Sequence, residues 1–129
     1  MSSVKQVFRS GPYAELIAQG VRHGNVLYLS GQVGMDEKSH VPESMAEQTA
    51  LAYANIIAVL KEFDATLDSV VDESFYVISM EETHQNIEAI YAARAAAYGG
   101  TPEVTQTLLA VAGLVLPALK LEIKCIAHL

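Results

Sequence analysis

The sequence predicts an α+β fold, a mixed β-sheet with two helices on one face, in the order β-β-β-α-β-α-β-β. Three observations predict it. Short runs of β-forming residues flank two longer stretches with apolar residues at helical spacing. Two of the strand runs, Val26 to Leu29 and Leu108 to Ala112, are apolar without alternation, so both faces of the sheet are covered. Two helices cover only one face of a sheet this size. The other face then calls for a second copy of the chain, and a homo-oligomer is expected.

The elements follow in order. Val4 to Arg9 reads as a short strand ended by Gly11-Pro12. Leu16 to Arg22 and Val26 to Val33 read as the next two strands. His23-Gly24-Asn25 between them has hairpin turn chemistry. Ser44-Met45-Ala46-Glu47 fits a capping box, and Tyr53, Ile56, Ile57, Leu60 and Phe63 continue at helical spacing to about Phe63 or Asp64. Thr66 to Val71 reads as a short helical turn and Ser74 to Ser79 as a strand. A second helix is expected from about Glu82 to Tyr98, with Ile87, Ile90, Tyr91 and Tyr98 inward. Gly99-Gly100 caps it and Pro102 prevents continuation. Thr105 to Leu114 and Leu119 to Ala127 complete the sheet, joined through Pro117.

With 129 residues, 51% of them apolar, the chain reads as one domain with a full core. Its net charge of −7 and lack of any basic run argue against a nucleic-acid footprint and disfavour an anionic membrane surface. Apolar runs such as Leu108 to Leu116 are too short to span a bilayer, and MSSVKQVFRS has no signal-peptide core. A cytoplasmic location is the expectation. The single cysteine, Cys125, lies in an apolar strand pattern and reads as a small buried hydrophobe.

One strand ends unusually, in Ser30-Gly31-Gln32. Gly31 lacks a side chain, so another group can approach its backbone closely, which is a first sign of a pocket. In the last strand, LKLEIKCIA, alternation puts Leu121, Ile123 and Cys125 against the helices. Lys120, Glu122, Lys124, Ile126 and His128 take the open face. Glu122 is thus a general acid/base candidate near a subunit boundary, or half of an ion pair with Lys120 or Lys124. Gln106 opens the preceding strand and either orients a polar ligand or is solvated. Glu88 is a solvated helix flank or a pocket residue. Tyr13, after Gly11-Pro12, is a pocket wall or a core aromatic. The four histidines show no metal spacing, and there is no phosphate-binding loop or nucleophile elbow.

Three segments carry a resemblance: Gly11-Pro12-Tyr13, Gly24 through Gln32, and Leu121 through Ala127. In order and spacing they resemble the RidA family, also called YjgF/YER057c/UK114 or endoribonuclease L-PSP. The resemblance implies a chorismate-mutase-like fold and homotrimers with small-molecule ligands at the subunit interfaces. It implies no metal or cofactor, and hydrolysis of reactive enamines and imines to ketones and ammonia. It implies that Tyr13 lines the pocket and that Ser30 and Gly31 form its floor through backbone groups. Glu122 would position the attacking water.

The chain departs from the family where members carry an Arg that clamps the substrate carboxylate. Pro102-Glu103-Val104-Thr105-Gln106-Thr107 puts Gln106 there, and Glu88 stands where many members have Asn. Losing such a clamp costs about 2–5 kcal/mol. The expectation is a neutral or cationic C–N substrate not bound through a carboxylate, or else a non-catalytic binding trimer. An endoribonuclease is disfavoured by the acidic charge.

Overall fold

The computed structural model describes residues 4–129. The part of the N-terminal reading that rests on Met1, Ser2 and Ser3 lies outside them. Seven strands form one sheet: β1 (Gln6–Phe8), β2 (Gly20–His23), β3 (Val26–Leu29), β4 (Gln32–Val33), β5 (Val70–Val77), β6 (Thr105–Ala110) and β7 (Leu121–His128). The order across it is β1-β2-β3-β7-β5-β6, with β4 pairing β7 beyond the end of β3. Only β5 and β6 run parallel; every other pair is antiparallel. The mixed sheet expected from the sequence is therefore present, and β7 is its axis.

β7 alternates strictly. Leu121, Ile123, Cys125 and Ala127 are wholly buried, while Glu122, Lys124 and Ile126 are half-buried on the other face. The buried face meets α1 (Met45–Lys61) and α3 (Ile87–Tyr98). Ser44 caps α1 through its hydroxyl, which accepts the Glu47 N–H at 3.0 Å. Ala52, Tyr53, Ile56, Val59 and Leu60 bury its stripe. Ile57 lies at the margin instead, 42% exposed.

Two amides pin α1 to the sheet. Buried Gln48 donates to the carbonyls of Pro42 (2.9 Å) and Ala118 (3.0 Å) and accepts the Lys120 N–H (2.8 Å). Asn55 donates to the carbonyls of Val33 and Met35. Gly34 allows the approach: a Cβ there would sit 2.5 Å from Gln48 Cα.

Several boundaries differ from the sequence expectation. The second helix is two, α2 (Met80–Gln85) and α3, so three helices cover the face. The break falls at Asn86, whose φ of −115° and ψ of 13° leave the helical region. Its side chain donates to the Glu82 carbonyl, the local competition that makes Asn a poor interior helix residue. The second strand begins at Gly20 rather than Leu16, because the Ala14, Leu16 and Ile17 N–H groups close turns onto Gly11 and Tyr13. β5 begins at Val70 rather than Ser74, after a single 3₁₀ turn at Leu67–Ser69, and Val71 is a bulge residue skipped by the β7 register. β6 stops at Ala110 rather than Leu114, and β7 begins at Leu121 rather than Leu119. Among the described residues no helix is long and apolar enough to cross a membrane.

Beneath the helices lies a buried polar network. The Glu73 carboxylate, fully buried on β5, accepts Arg94 Nε and the Tyr53 hydroxyl at 2.8 and 2.7 Å. It also accepts the Tyr98 hydroxyl and Gln106 Nε2. Burial, then the Glu73 charge, pushes the Tyr53 phenol up, so it stays a donor. No buried side-chain nitrogen or oxygen among the described residues lacks a partner. This network ties α1, α3, β5 and β6 together. Removing one partner of a buried ion pair costs about 3–5 kcal/mol. Arg94→Met should lie near the low end, about 3 kcal/mol by urea unfolding, because three other donors still reach Glu73.

Candidate functional site

The site begins with a break in the ladder beside β7. Tyr28 pairs with Ile126 and Gln32 pairs with Ile123. Three residues, Leu29, Ser30 and Gly31, therefore face two, Lys124 and Cys125. This is a β-bulge, the device that re-aims groups next to active sites. The strand expected to run unbroken from Val26 to Val33 is interrupted there for that reason. The bulge is held by the preceding loop. The Ser30 N–H donates to the Gln19 carbonyl at 2.9 Å, and the Ser30 hydroxyl donates to the Ala18 carbonyl at 2.6 Å. Gln32 Nε2 donates to Gln19 Oε1 and to the Ser30 carbonyl.

Glu122 lies against this bulge. A Cβ on Gly31 would stand 2.6 Å from the Glu122 carboxyl carbon and 2.9 Å from its Cγ. Only glycine permits that approach, as the sequence suggested, and the approaching group is the candidate acid/base. Glu122 forms no ion pair: the pairs among the described residues are Arg94–Glu73 and Lys120–Glu82, both at 2.8 Å. Burial raises its carboxyl above the ordinary value, and the Lys124 charge partly offsets this. A half-buried carboxylate with no fixed partner and a raised proton affinity suits proton transfer.

The open face around it follows from the register. Val33, Glu122 and Tyr76 form one row, continued by Leu109. Lys124, Ser74 and Thr107 form the next, and Val7, Val21, Tyr28 and Ile126 the one beyond. Val7, Tyr28 and Leu109 are each nearly half exposed. A polar strip carrying Glu122 and Lys124 thus crosses an apolar sheet face.

The structure brings together Gly31, Ser30 and Glu122, and it places Gln106 and Glu88 elsewhere. The Ser30 N–H, carbonyl and hydroxyl are all engaged, by the Gln19 carbonyl, Gln32 Nε2 and the Ala18 carbonyl, so Ser30 shapes the bulge. Tyr13 is 42% exposed in the turn before β2. Gln106 is a correction: it faces the helices, bonded to Tyr91 and Glu73, not the Glu122 face. The reason is parity, because Gln106 pairs with Glu73 and Leu108 with Phe75, all beneath the helices. Glu88 is exposed on α3, in a shallow groove with His84 and Asn86. Neither Gln106 nor Glu88 therefore adds a side chain to the Glu122 face of its own chain. Sequence reasoning missed the Glu73 network and the part played by Lys124, whose ammonium donates to the Leu29 carbonyl at 3.2 Å. The alternation Glu73, Phe75, Val77 was the available signal for the first.

A larger groove, about 670 Å³, lies at the start of α1 between His40, Glu47, Glu82 and Lys120, away from Gly31 and Glu122. Its only cation is paired, and it offers no comparable chemistry. Among the described residues no group of three His, Cys, Asp or Glu side chains gathers to hold a metal.

Comparison with known proteins gives consistent results. The family model described as Endoribonuclease L-PSP matches residues 9–129. A RutC family protein from Saccharolobus solfataricus is 36% identical over 83 residues, 63% of this chain and 62% of that protein. A protein from Dermatophagoides farinae named 2-iminobutanoate/2-iminopropanoate deaminase is 32% identical over 69 residues, 52% of this chain and 51% of that one. The chain thus spans between half and two thirds of the curated relatives it matches. A crystal structure of a YjgF/YER057c/UK114 family member from Mycobacterium tuberculosis superposes with a TM-score of 0.81 at 26% identity, covering 98% of this chain and all of the other.

The raised Glu122 carboxyl has a consequence for stability. The native state holds the Glu122 proton more tightly than the unfolded chain does. Its contribution is present at low pH and lost as pH rises through the native value. Glu122→Gln removes that loss. The variant should melt above the wild type at neutral pH, and the gap should close below the ordinary Glu value of 4.5. Thermal unfolding at a series of pH values measures it.

Proposed function

The chain belongs to the Endoribonuclease L-PSP family, also called YjgF/RidA, and we propose that it hydrolyses a small imine or enamine at the subunit interfaces of a homotrimer. One observation carries this reading: Glu122 stands unpaired among the described residues, against Gly31, on a sheet face where Val7, Tyr28 and Leu109 are nearly half exposed. The deaminase from Dermatophagoides farinae supports the reaction class.

The chemistry uses few groups. A protonated imine carbon is electrophilic. The Glu122 carboxylate takes a proton from a water molecule as its oxygen bonds to that carbon. The same carboxyl returns that proton to nitrogen, the C–N bond breaks with its electron pair on nitrogen as the carbinol oxygen forms the C=O bond, and the carboxylate takes the hydroxyl proton and passes it to water as ketone and ammonia leave. An enamine enters by taking a proton on carbon first. Gly31, lacking a side chain, leaves room for the carboxylate at the bulge, and a partner copy on Tyr28 and Leu109 would exclude bulk water. Gln106 has no part in this, since its amide is spent beneath the helices.

A non-catalytic ligand-binding trimer is the second reading, favoured by the absence of a β6 cation on the Glu122 face. Ammonia release from imines generated in solution separates the two. The wild type should release ammonia with an acid limb above the ordinary Glu value, because the base must be ionised and its proton affinity is raised. Glu122→Gln should lower the rate about 100-fold or more while light scattering still reports three chains per particle. A wild type that binds imine-derived ligands without releasing ammonia would establish the binding-module reading instead.

A further inference from the structure

We propose that Lys124 determines ligand specificity at this site, its ammonium anchoring an anionic group of the ligand beside Glu122. The inference rests on reading the Glu122 face as the ligand site and adds the charge that the bound molecule carries.

Four observations converge on it. Lys124 is two residues from Glu122 on β7, so both side chains leave the same face about 7 Å apart along the strand. Its Nζ reaches the Leu29 carbonyl at 3.2 Å, which turns the side chain toward the bulge and Gly31. Its charge is felt at Glu122, where it opposes the effect of burial. It has no carboxylate partner among the described residues, whereas Lys120, just before β7, is held by Glu82 at 2.8 Å. An ammonium carries three donors, and the Leu29 carbonyl takes one. Asp72, one row away, is the nearest acidic side chain by register besides Glu122, and its Oδ1 accepts the Thr105 hydroxyl at 2.6 Å.

The surroundings fit an anion. Across the sheet the Lys124 row continues with Ser74 and Thr107, whose hydroxyls add donors. Tyr28 and Ile126 form an apolar row beside it. A ligand lying across these rows would put an anionic end on Lys124 and its reactive carbon toward Glu122. A lysine serving only to hold the bulge would need its hydrogen bond and not its charge. That difference is measurable.

The probes are 2-oxobutanoate and 2-butanone, which differ by one carboxylate, with binding followed by NMR titration. The wild type should bind 2-oxobutanoate more tightly and lose that preference as salt rises. Lys124→Met should weaken 2-oxobutanoate about 10- to 100-fold, the range of a charge-assisted hydrogen bond, and leave 2-butanone unchanged. Lys124→Arg should keep most of the affinity. Lys124→Gln keeps a donor for the Leu29 carbonyl without the charge, so it covers a Met variant that does not fold, and it should behave as Met does. Equal binding of both probes by the wild type would overturn the anchor, as would undiminished 2-oxobutanoate binding by the Met or Gln variant. Ammonia release is measured in parallel. Lys124-dependent binding without ammonia release would keep the anchor and sink the hydrolase reading.

Discussion

Strict alternation along β7 is the constraint on which the rest depends. Leu121, Ile123, Cys125 and Ala127 are wholly buried on one face. Complete burial of each large aliphatic among them is worth about 1.5–3 kcal/mol. A one-residue slip would send that set to the open face and put Glu122 and Lys124 under the helices, so the register is firmly specified. β3, β4 and β5 all take their position from β7. The apolar half of the strand thereby stabilises the fold, and the polar half is presented at one place without further support.

Two carboxylates of this chain occupy opposite environments. Glu73 is fully buried and accepts hydrogen bonds from Arg94, Tyr53, Tyr98 and Gln106. Every lone-pair direction it needs is filled, and it has no access to a ligand. Glu122 is half-buried, desolvated, and paired with nothing. Holding such a group costs stability, and the missing side chain at Gly31 leaves the room it occupies. Functional sites commonly carry a cost of this kind, offset by the surrounding core.

Much of this was legible in the chain. The segment LKLEIKCIA alone separates the two faces of β7, and Gly31 announces a close approach before its partner is known. Membership of the family and the mixed sheet followed from the same segments. The side on which Gln106 lies follows from its parity with Leu108, which packs against the core, a signal that the expectation for Gln106 left unused. The split of the second helix at Asn86 was hidden by apolar spacing that continues through it. The early start of β5 was hidden because Val70 and Val71 straddle a bulge, which breaks the period a strand is recognised by. The ion pair expected for Glu122 failed for a tertiary reason: Glu82, distant in sequence, takes Lys120, and Lys124 turns to the Leu29 carbonyl.

In the proposed reaction the room left by Gly31 lets the Glu122 carboxylate take its reacting position. Gly31→Ala tests it most directly, because the added methyl would overlap that carboxylate while leaving every titratable group present. Displacing a reacting group by about 1 Å costs on the order of 100-fold in rate. The measurement is ammonia release by the purified variant, with circular dichroism reporting the fold. The account predicts a folded protein with at least about 100-fold less activity. A folded Gly31→Ala protein working at the wild-type rate would contradict it.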